Sequence, residues 1–380
     1  MGFRPLKSRL WAYVLVSGLS VVAPAHALED VLQTPAMMSE KAAQTLLLDV
    51  KLVGQRLVAV GQRGHIVYSE NKGRSWKQAK VPVSVALTAV HFATPTHGWA
   101  VGHSGVVLHS KDGGKTWEKQ LDGIWVNQLV VEQNRQQVAE LEALLETADE
   151  DEVDELEMSL EDAQMALEDS EVDAEDGPSK PFLDVWFKDE NTGFVVGAYG
   201  LFFGTSDGGQ TWTNYGRRLE NPDRLHLNAI AQVTGGAVFI VGESGEIHLS
   251  TDEGQSWERL KSPYTGSLFN VMGTGAVNEV LVMGLRGSLF RSENLGKTWE
   301  RVKSGVDSTL NGGANTNDGR VVIVGNSGVV LTSKNFGQSF DAFVRPDRQS
   351  MAATAIVDAN TLVVVSEDGA IRTDRIGKNL

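Results

Sequence analysis

Short apolar runs and polar, glycine-rich turns alternate along most of this chain. In the clearest stretch, apolar runs at Leu87–Phe92, Trp99–Val101 and Val106–Ser110 follow one another, and a further segment begins at Trp117. Runs of about 4–8 residues rich in Val, Leu and aromatic residues are typical of strands, and the intervening Gly, Asp and Ser are typical of tight turns. This stretch therefore predicts four antiparallel strands, which we name A to D from the innermost to the outermost.

The same pattern recurs seven times, with two short signatures in constant places. The first is G-x-x-G, whose first glycine lies at Gly61, Gly102, Gly197, Gly242, Gly284 and Gly325, with Ser366 at the seventh place. The second is a box that ends in an aromatic residue, with copies at Ser69–Trp76, Ser110–Trp117, Thr205–Trp212, Ser250–Trp257, Ser292–Trp299 and Ser333–Phe340. Successive copies of G-x-x-G lie 41–45 residues apart, except for one step of 95. This period, with four short strands per copy, predicts an all-β fold, a seven-bladed β-propeller.

The side chains of the box are predicted to stabilise turns rather than to bind a ligand. Its Ser and Asp can hydrogen-bond the backbone amides of the turn, and its Trp or Phe can then anchor the turn. A buried Trp covers about 150–250 Å². The residues assigned this structural role are Asp112, Asp207, Asp252, Trp76, Trp117, Trp212, Trp257, Trp299 and Phe340.

The long step between the second and third repeats contains an acidic insertion, assigned to residues 129–178. Residues 132–176 carry 19 acidic side chains and one basic one, Arg135, whereas the whole chain has a net charge of −15. Apolar residues recur at helical spacing from Val138 to Ala148 and again from Val153 to Leu167. This pattern predicts an antiparallel helical hairpin, with a solvated or partly disordered loop as the alternative.

The B–C turns, each at a G-x-x-G signature, are predicted to form the docking surface. In a propeller these turns lie on the face opposite the boxes, and the insertion, which follows a D strand, should emerge beside them. Side chains that vary over a constant scaffold are where binding specificity usually resides. The predicted partner-binding residues are Arg63, His103, Tyr199, Glu243, Arg286, Asn326 and Glu367.

The first 27 residues have the pattern of a secretory signal peptide. Arg4, Lys7 and Arg9 precede an apolar run at Leu10–Val22, which is followed by an A-x-A site ending at Ala27. This arrangement is typical of a cleaved signal sequence and predicts a periplasmic or secreted protein. The apolar run is too short to span a membrane, and the absence of Cys excludes disulfides.

The last repeat has only a remnant of the box, at Thr373–Leu380. Little chain is left for an outer strand, since only Lys378–Leu380 follow the glycine of this remnant. An open sheet edge invites pairing with other chains. We therefore predict that residues 28–45 form an N-terminal strap, in which Asp30–Thr34 pairs with the last blade of the propeller at residues 46–380.

The box S-x-D-x-G-x-x-W resembles the Asp-box of BNR repeats, and its spacing after G-x-x-G resembles the photosystem II stability/assembly factor family. The resemblance covers about Leu46 to Leu380 apart from the insertion. It implies a non-catalytic propeller that acts as an assembly factor for a membrane protein complex. Two features depart from the cyanobacterial members of that family, since the chain has no Cys for lipidation and the acidic insertion is not part of their plan. The chain resembles instead the non-photosynthetic bacterial members, which implies an RND-type exporter as the partner.

A carbohydrate-active propeller, either a glycoside hydrolase or a lectin-like glycan binder, is the alternative function. Asp49 and Asp184 occupy similar places on A strands of the first and third blades, so they are the candidate carboxylate pair. Ser104, Ser244 and Ser327 lie in G-x-S-G turns of the repeat, which indicates turn chemistry rather than a nucleophile.

Two further ligand classes are disfavoured. His91, His97, His103 and His109 fall at intervals of six, but His97 and His103 would lie on opposite faces and cannot share a metal ion. Outside the insertion the chain is near neutral, which disfavours a nucleic-acid partner. No cofactor or metal site is therefore predicted.

Overall fold

Seven antiparallel sheets form a closed ring in the computed structural model, which describes residues 30–380. Six of the sheets have four strands and one has three. The innermost strand of each sheet packs against the innermost strand of the next, and the ring closes where the first sheet meets the seventh. The predicted seven-bladed propeller with an inserted helical hairpin is therefore confirmed. The predicted signal peptide lies outside the described residues.

Each blade follows chain order from the ring centre outward. Blades one and two contain β1 (Leu47–Val53), β2 (Arg56–Gly61), β3 (Ile66–Ser69), β4 (Lys77–Gln78), β5 (Leu87–Phe92), β6 (Gly98–Gly102), β7 (Val107–Ser110) and β8 (Glu118–Leu121). Blades three and four contain β9 (Phe182–Phe187), β10 (Gly193–Gly197), β11 (Phe202–Thr205), β12 (Thr213–Asn214), β13 (Leu227–Gln232), β14 (Val238–Gly242), β15 (Ile247–Ser250) and β16 (Glu258–Arg259). Blades five to seven contain β17 (Leu268–Gly273), β18 (Val280–Gly284), β19 (Leu289–Ser292), β20 (Glu300–Arg301), β21 (Leu310–Asn315), β22 (Val321–Gly325), β23 (Val329–Ser333), β24 (Asp341–Val344), β25 (Met351–Asp358), β26 (Thr361–Ser366) and β27 (Gly369–Asp374).

The B strands are buried along their whole length in most blades. Strands β6, β10, β14, β18 and β22 are buried at every residue. A strand with neighbouring blades on both sides needs a continuous apolar run rather than an alternating one. Trp99 of β6 illustrates the packing, because its indole is stacked with the rings of Phe187 in the next blade and of His109. The hydrophobic core therefore lies between successive blades.

The insertion is a hairpin of two helices, α1 (Gly123–Leu145) and α2 (Val153–Asp176). The predicted hairpin is present, but its first helix begins before residue 129. Asp122 explains the early start, because its Oδ1 accepts a hydrogen bond from the backbone N–H of Trp125 at 3.3 Å and so caps the helix.

Two asparagines of α1 set the register of the hairpin. The Asn127 side chain donates to the carbonyl oxygens of Asp173 and Gly177 at 3.1 and 3.2 Å. One heptad later, the Asn134 side chain donates to the carbonyl oxygen of Ala166 at 2.9 Å. Because polar groups at a helix seam bond in only one alignment, these contacts specify how the two helices pair.

The turns divide between two faces of the ring. The Arg56 guanidinium, at the start of β2 directly after the A–B turn of blade one, donates to the carbonyl oxygen of Gly113 in the second box at 2.7 Å. The backbone N–H of Gly113 in turn donates to the carbonyl oxygen of Thr96 in an A–B turn. On the other face, the start of α1 packs on the B–C turn of blade two, since a Cβ on Gly123 would lie 2.7 Å from the carbonyl oxygen of Ser104. The hairpin therefore emerges on the face predicted for it.

The prediction that Asp30–Thr34 completes the last blade is wrong. Instead, the carbonyl oxygen of Val31 accepts from the N–H of Ser84, and Leu32 is buried between blades one and two. The chain end covers the last blade, because Lys378–Leu380 turn back along β27 and the N–H of Leu380 donates to the carbonyl oxygen of Arg372 at 3.1 Å. A later part of the N-terminal segment, Ala42–Gln44, does pack against the last blade, where it contacts β27 next to Gly369.

Candidate functional site

Each B–C turn with a G-x-x-G signature is a single short helical turn ending in the second glycine. That glycine has a positive φ and lies against other backbone: at Gly64, with φ of 70°, an added Cβ would lie 2.1 Å from the carbonyl oxygen of Val83. The residue before it is also left-handed, with φ between 53° and 58° in six blades. These six residues are Arg63, Ser104, Tyr199, Ser244, Arg286 and Ser327. Two successive left-handed residues reverse the chain tightly between strands B and C.

The seven predicted partner-binding residues lie on one face, but at two positions of the turn. Three occupy the second x position of G-x-x-G and four occupy the first. Six are exposed and one, Glu243, is half-buried. The second-position residues are Arg63, Tyr199 and Arg286, and the first-position residues are His103, Glu243, Asn326 and Glu367. The turns therefore present these side chains as a ring on one face, but the side chains do not all occupy the same position of the turn.

Tyr199 is the large aromatic side chain exposed on this ring, with 55% of its surface accessible. The Lys180 ammonium lies 5.4 Å from the centre of its ring, and the His226 imidazole contacts the ring edge-on at 4.9 Å. An aromatic face next to cations is a common element of recognition surfaces. The B–C turn of blade three is thus the most distinctive part of this face.

A cleft with a volume of about 500 Å³ separates the hairpin from blades three and four. The hairpin side is formed by residues such as Asn134 and Ser170, and the propeller side includes Tyr199, Arg217 and Arg224. Ligand pockets in proteins typically have volumes of about 300–1,000 Å³. The cleft is therefore large enough to accept part of a partner chain.

Basic residues of the propeller face acidic residues of the hairpin across this cleft. Arg224 lies 3.5 Å from the carboxylate of Asp169, and Lys180 pairs with Asp173. Arg217 hydrogen-bonds the side chain of Gln137. The sequence pattern did not predict a role for these cations. The available signal was the Arg217-Arg218 pair within an unusually long connection between blades three and four.

The boxes form the opposite face, and the same hydrogen bonds recur in each copy. In blade four, Ser250 Oγ accepts from the N–H of Gly254 and donates to Asp252 Oδ1, both at 2.8 Å. The hydrogen bond from the Ser256 hydroxyl lowers the pKa of Asp252 to about 2. Asp207 is held in the same way, and the Thr211 hydroxyl lowers its pKa to about 2. These polar groups are occupied by their own turn.

The aromatic residues that end the boxes pack between blades. Trp117 and Trp212 are buried, and Trp117 Nε1 donates to the carbonyl oxygen of Gly114 at 3.1 Å. The other four, Trp76, Trp257, Trp299 and Phe340, are half-buried. These contacts fit the anchoring role predicted for the box.

The candidate glycosidase pair, Asp49 and Asp184, lines a cavity of about 130 Å³ at the ring centre. Asp49 Oδ2 accepts from the N–H of Val90 in the next blade at 3.0 Å, and Asp184 Oδ2 accepts from that of Ile230 in the next blade at 2.9 Å. The other oxygen of each carboxylate accepts from the amide of the following residue. Both oxygens of each carboxylate thus accept hydrogen bonds from backbone N–H groups, and one of these bonds links two blades. This geometry indicates a structural role and does not support a glycosidase acid–base pair.

Polar side chains on other A strands make comparable links. Thr88 Oγ1 donates to the carbonyl oxygen of Phe182 at 2.8 Å, and Asn228 Nδ2 donates to that of Leu268 at 2.8 Å. In each case the acceptor is the first residue of the next blade. Hydrogen bonds at the ring centre therefore supplement the apolar contacts between blades.

The pH dependence of stability should report on Asp184. Burial raises the pKa of its carboxyl to about 7 from an ordinary value of 3.8. Since the folded state binds this proton more tightly, the stability that Asp184 contributes is complete below about pH 4 and is lost as the pH rises to about 7. We therefore expect the free energy of unfolding of Asp184→Asn, relative to that of wild type, to rise by more than about 1 kcal/mol between about pH 4 and pH 8. Thermal unfolding at each pH measures the difference.

The matched control for this experiment is Asp307→Asn, since Asp307 is exposed on the surface. Burial lowers the pKa of His91 to about 4, so this histidine makes stability change with pH in the opposite direction. Its contribution is the same in wild type and variant, so it cancels when the two are compared at each pH. A stability difference that stays constant with pH would show that Asp184 is ionised in the folded protein.

The histidines are not gathered at one place. His97 lies in an A–B turn next to Glu190, at 3.0 Å, whereas His103 lies in a B–C turn on the opposite face. Across residues 30–380, no group of three or more His, Cys, Asp or Glu side chains could hold a metal ion. Neither α1 nor α2, nor any other helix in that range, is long and apolar enough to cross a membrane.

Comparison with protein families gives a match over most of the chain. The family described as photosynthesis system II assembly factor YCF48 matches residues 68–136 and 163–378. The chain belongs to this family. The unmatched residues between these ranges form the outer part of the hairpin, which is therefore an addition to the family pattern.

The curated relatives match over short segments. The chloroplastic photosystem II stability/assembly factor HCF136 of Cyanidioschyzon merolae is 37% identical over 78 residues, which are 19% of this chain and 18% of that protein. The photosystem II assembly lipoprotein Ycf48 of Synechococcus sp. (strain CC9902) is 39% identical over 79 residues, or 20% of this chain and 23% of that protein. The matched segments thus span about a fifth of these relatives. Both relatives are named as assembly proteins.

A solved structure extends the similarity in fold to nearly the whole chain. The structure described as YCF48 bound to D1 peptide superposes with a TM-score of 0.59 over 92% of this chain and 98% of that one. The two sequences are 15% identical, so this likeness concerns the fold of the YCF48 family.

Proposed function

We propose that this protein is a non-catalytic assembly factor that docks a segment of a membrane protein complex on the B–C face of its propeller. Membership of the YCF48 family supports this class of function. The similar fold of a YCF48 protein bound to D1 peptide supports a peptide segment as the ligand. The observation that carries the proposal is that the B–C turns, the hairpin and the cleft between them all lie on one face.

The two faces differ in whether their polar side chains are already occupied. On the box face, Asp207 and Asp252 receive hydrogen bonds from their own turns. On the B–C face, Arg63 and Arg286 are exposed and have no side-chain hydrogen bond or ion pair with another residue of the range 30–380. Unoccupied guanidinium groups can bind the carbonyl or carboxylate groups of a peptide. The B–C face is therefore the better docking surface.

We propose that the partner's segment enters the cleft beside Tyr199. A peptide there would lie between the hairpin and blade three, with the aromatic ring of Tyr199 available for packing and the Lys180 ammonium close to it. Buried aromatic and Arg side chains supply much of the energy at protein interfaces. This placement gives the hairpin a function as one wall of the binding site.

We further propose that the protein acts in the periplasm and that an RND-type exporter is the membrane complex it serves. The signal-peptide pattern of the first 27 residues supports the compartment. The departures from the photosynthetic members, which are the lack of Cys for lipidation and the acidic insertion, support the partner class.

Site-specific photocrosslinking tests the proposed surface. A photoreactive amino acid replaces Tyr199 in one variant and Glu253 in the matched control, because both residues are exposed, have left-handed backbones and lie on opposite faces. We expect the Tyr199 variant to crosslink to a membrane protein in native cells at least about tenfold more than the Glu253 variant. Mass spectrometry of the crosslinked product identifies the partner.

Equal crosslinking from both faces, or crosslinking from Glu253 alone, would reject the B–C face as the docking surface. A glycan array with a reducing-sugar assay provides the comparison with the carbohydrate-active alternative. Specific glycan binding or turnover would favour that alternative over the assembly function.

A further inference from the structure

The outer side of α2 carries three exposed apolar side chains at seven-residue spacing. Met158, Met165 and Val172 are 70%, 58% and 54% exposed. Seven residues are close to two turns of an α-helix, so the three side chains form one stripe about 21 Å long. We call these three residues the α2 stripe.

The α2 stripe is not part of the seam that holds the hairpin together. Leu160 and Leu167 are half-buried, and each lies two residues after a methionine of the stripe. Two residues correspond to a rotation of about 200° around a helix, so these leucines lie on the opposite side of α2. The hairpin thus has its own apolar seam, and the stripe is a second apolar surface without a partner in the described chain.

The surroundings of the α2 stripe are strongly acidic. The helix α2 contains 11 acidic residues and no Lys or Arg. Within residues 30–380, three of these carboxylates have a basic partner, namely Asp169, Asp173 and Glu171. Other carboxylates flank the stripe without one, including Glu161 and Glu168. Like charges spaced along a helix destabilise it, so neutralisation by a cationic partner would stabilise α2.

We propose that the α2 stripe binds a basic amphipathic helix of a partner protein, which packs against α2 as a third helix. The apolar face of the partner would cover Met158, Met165 and Val172, and its Lys or Arg side chains would pair with the flanking carboxylates. Methionine side chains adapt to differently shaped apolar surfaces and are common in grooves that bind helices. Charge repulsion disfavours a second copy of this chain and an anionic lipid surface as the occupant.

The α2 stripe is a second contact surface, and its ligand differs from the peptide proposed for the B–C turns. The two surfaces are separately testable. Photocrosslinking from Tyr199 reports on the B–C face, whereas binding of a helical probe reports on the α2 stripe.

The test uses a fluorescent synthetic peptide of about three heptads, with Leu at the a and d positions and Lys at the others. A second peptide has Glu in place of Lys. Fluorescence anisotropy is measured with the folded protein at an ionic strength of about 0.15 M, where the Debye length is about 8 Å. We expect the Lys peptide to bind and the Glu peptide not to bind.

The double variant Met158→Ala and Met165→Ala should raise the Kd for the Lys peptide at least about tenfold. Alanine has the highest helix propensity, so α2 should remain helical, which circular dichroism checks. The matched control is Met37→Ala with Met38→Ala, because these methionines are 68% and 62% exposed but lie outside the hairpin. Unchanged binding by the Met158 and Met165 variant would overturn the proposal, since attraction by charge alone would then explain binding.

A charge variant provides a test that keeps the methionines. Glu161→Gln, Asp162→Asn and Glu168→Gln together should weaken Lys-peptide binding at least about tenfold and reduce its dependence on salt. Binding that is insensitive to these changes, or absent from the wild-type protein, would also overturn the proposal. A dimer of this chain that dissociates in the methionine variant, detected by light scattering, would assign the stripe to self-association instead.

Discussion

Replacing Trp99 with Ala is expected to lower the free energy of unfolding by about 3–5 kcal/mol. The indole is fully buried, and its ring centre lies 3.5 Å from that of Phe187 and 4.4 Å from that of His109. Its Nε1 donates to the side chain of Gln120 at 3.2 Å, and Gln120 donates onward to the carbonyl oxygen of Gly208 in blade three at 2.8 Å. The substitution would therefore open a cavity and weaken a polar link between two blades. Urea-induced unfolding monitored by circular dichroism measures the change.

Trp125→Ala is the control for this experiment. Trp125 is 43% exposed near the start of α1, so its loss should cost less than about 1 kcal/mol. If Trp99→Ala lost as little stability as Trp125→Ala, the packing between blades two and three would contribute little to stability.

The second large effect is expected at the ring centre, where Asp49→Ala should cost about 1–3 kcal/mol. Asp49 Oδ1 accepts from the Lys51 ammonium at 3.1 Å, and Oδ2 accepts from the N–H of Val90 at 3.0 Å. Its removal leaves a buried N–H without an acceptor, which is costly. It also removes the partner of the Lys51 ammonium, which adds less because the Lys51 side chain is 44% exposed. Thermal and urea unfolding at pH about 7 measure the effect.

Asp49→Asn separates the two parts of this cost. The amide keeps one oxygen as an acceptor but cannot form an ion pair with Lys51. The stability of Asp49→Asn should therefore lie between those of wild type and Asp49→Ala. Ala89 and Ala229 occupy the equivalent place in blades two and four, so the shape of Ala fits this position. A negligible effect of Asp49→Ala would mean that apolar packing alone joins blades one and two.

The architecture could be predicted because its signals are local and repeated. The strand at Leu87–Phe92 begins and ends where the apolar pattern indicates. Each copy of G-x-x-G specifies a turn whose glycine has a physical reason to be there. Repetition over seven copies turned weak local signals into a definite fold.

The parts that could not be predicted depend on contacts between distant segments. The start of α1 at Gly123 depends on a cap by Asp122 in a stretch whose Val and Trp residues also suit a strand. The place of Asp30–Thr34 depends on contacts with blades one and two, whereas Lys378–Leu380 lie along β27. The bonds from Asp49 and Asp184 to neighbouring blades require the ring to be closed, so a single repeat contains no sign of them.

In the candidate site, too, some features follow from local sequence and others depend on contacts between distant segments. The face that carries Tyr199 follows from the order of strands, and the exposure of its side chain follows from the turn. The cations Arg217 and Arg224 acquire meaning only when the hairpin is placed above them, because Gln137 and Asp169 then become their neighbours.

The two ends of the hairpin meet at its base, where a Cβ on Gly123 would lie 2.7 Å from the Cβ of Pro178. A segment whose ends touch adds little constraint to the domain that contains it, so its length and content can change while the rest still folds. Natural selection can therefore alter this projection independently of the disc. The same junction offers a site for grafting a foreign binding module onto a rigid platform.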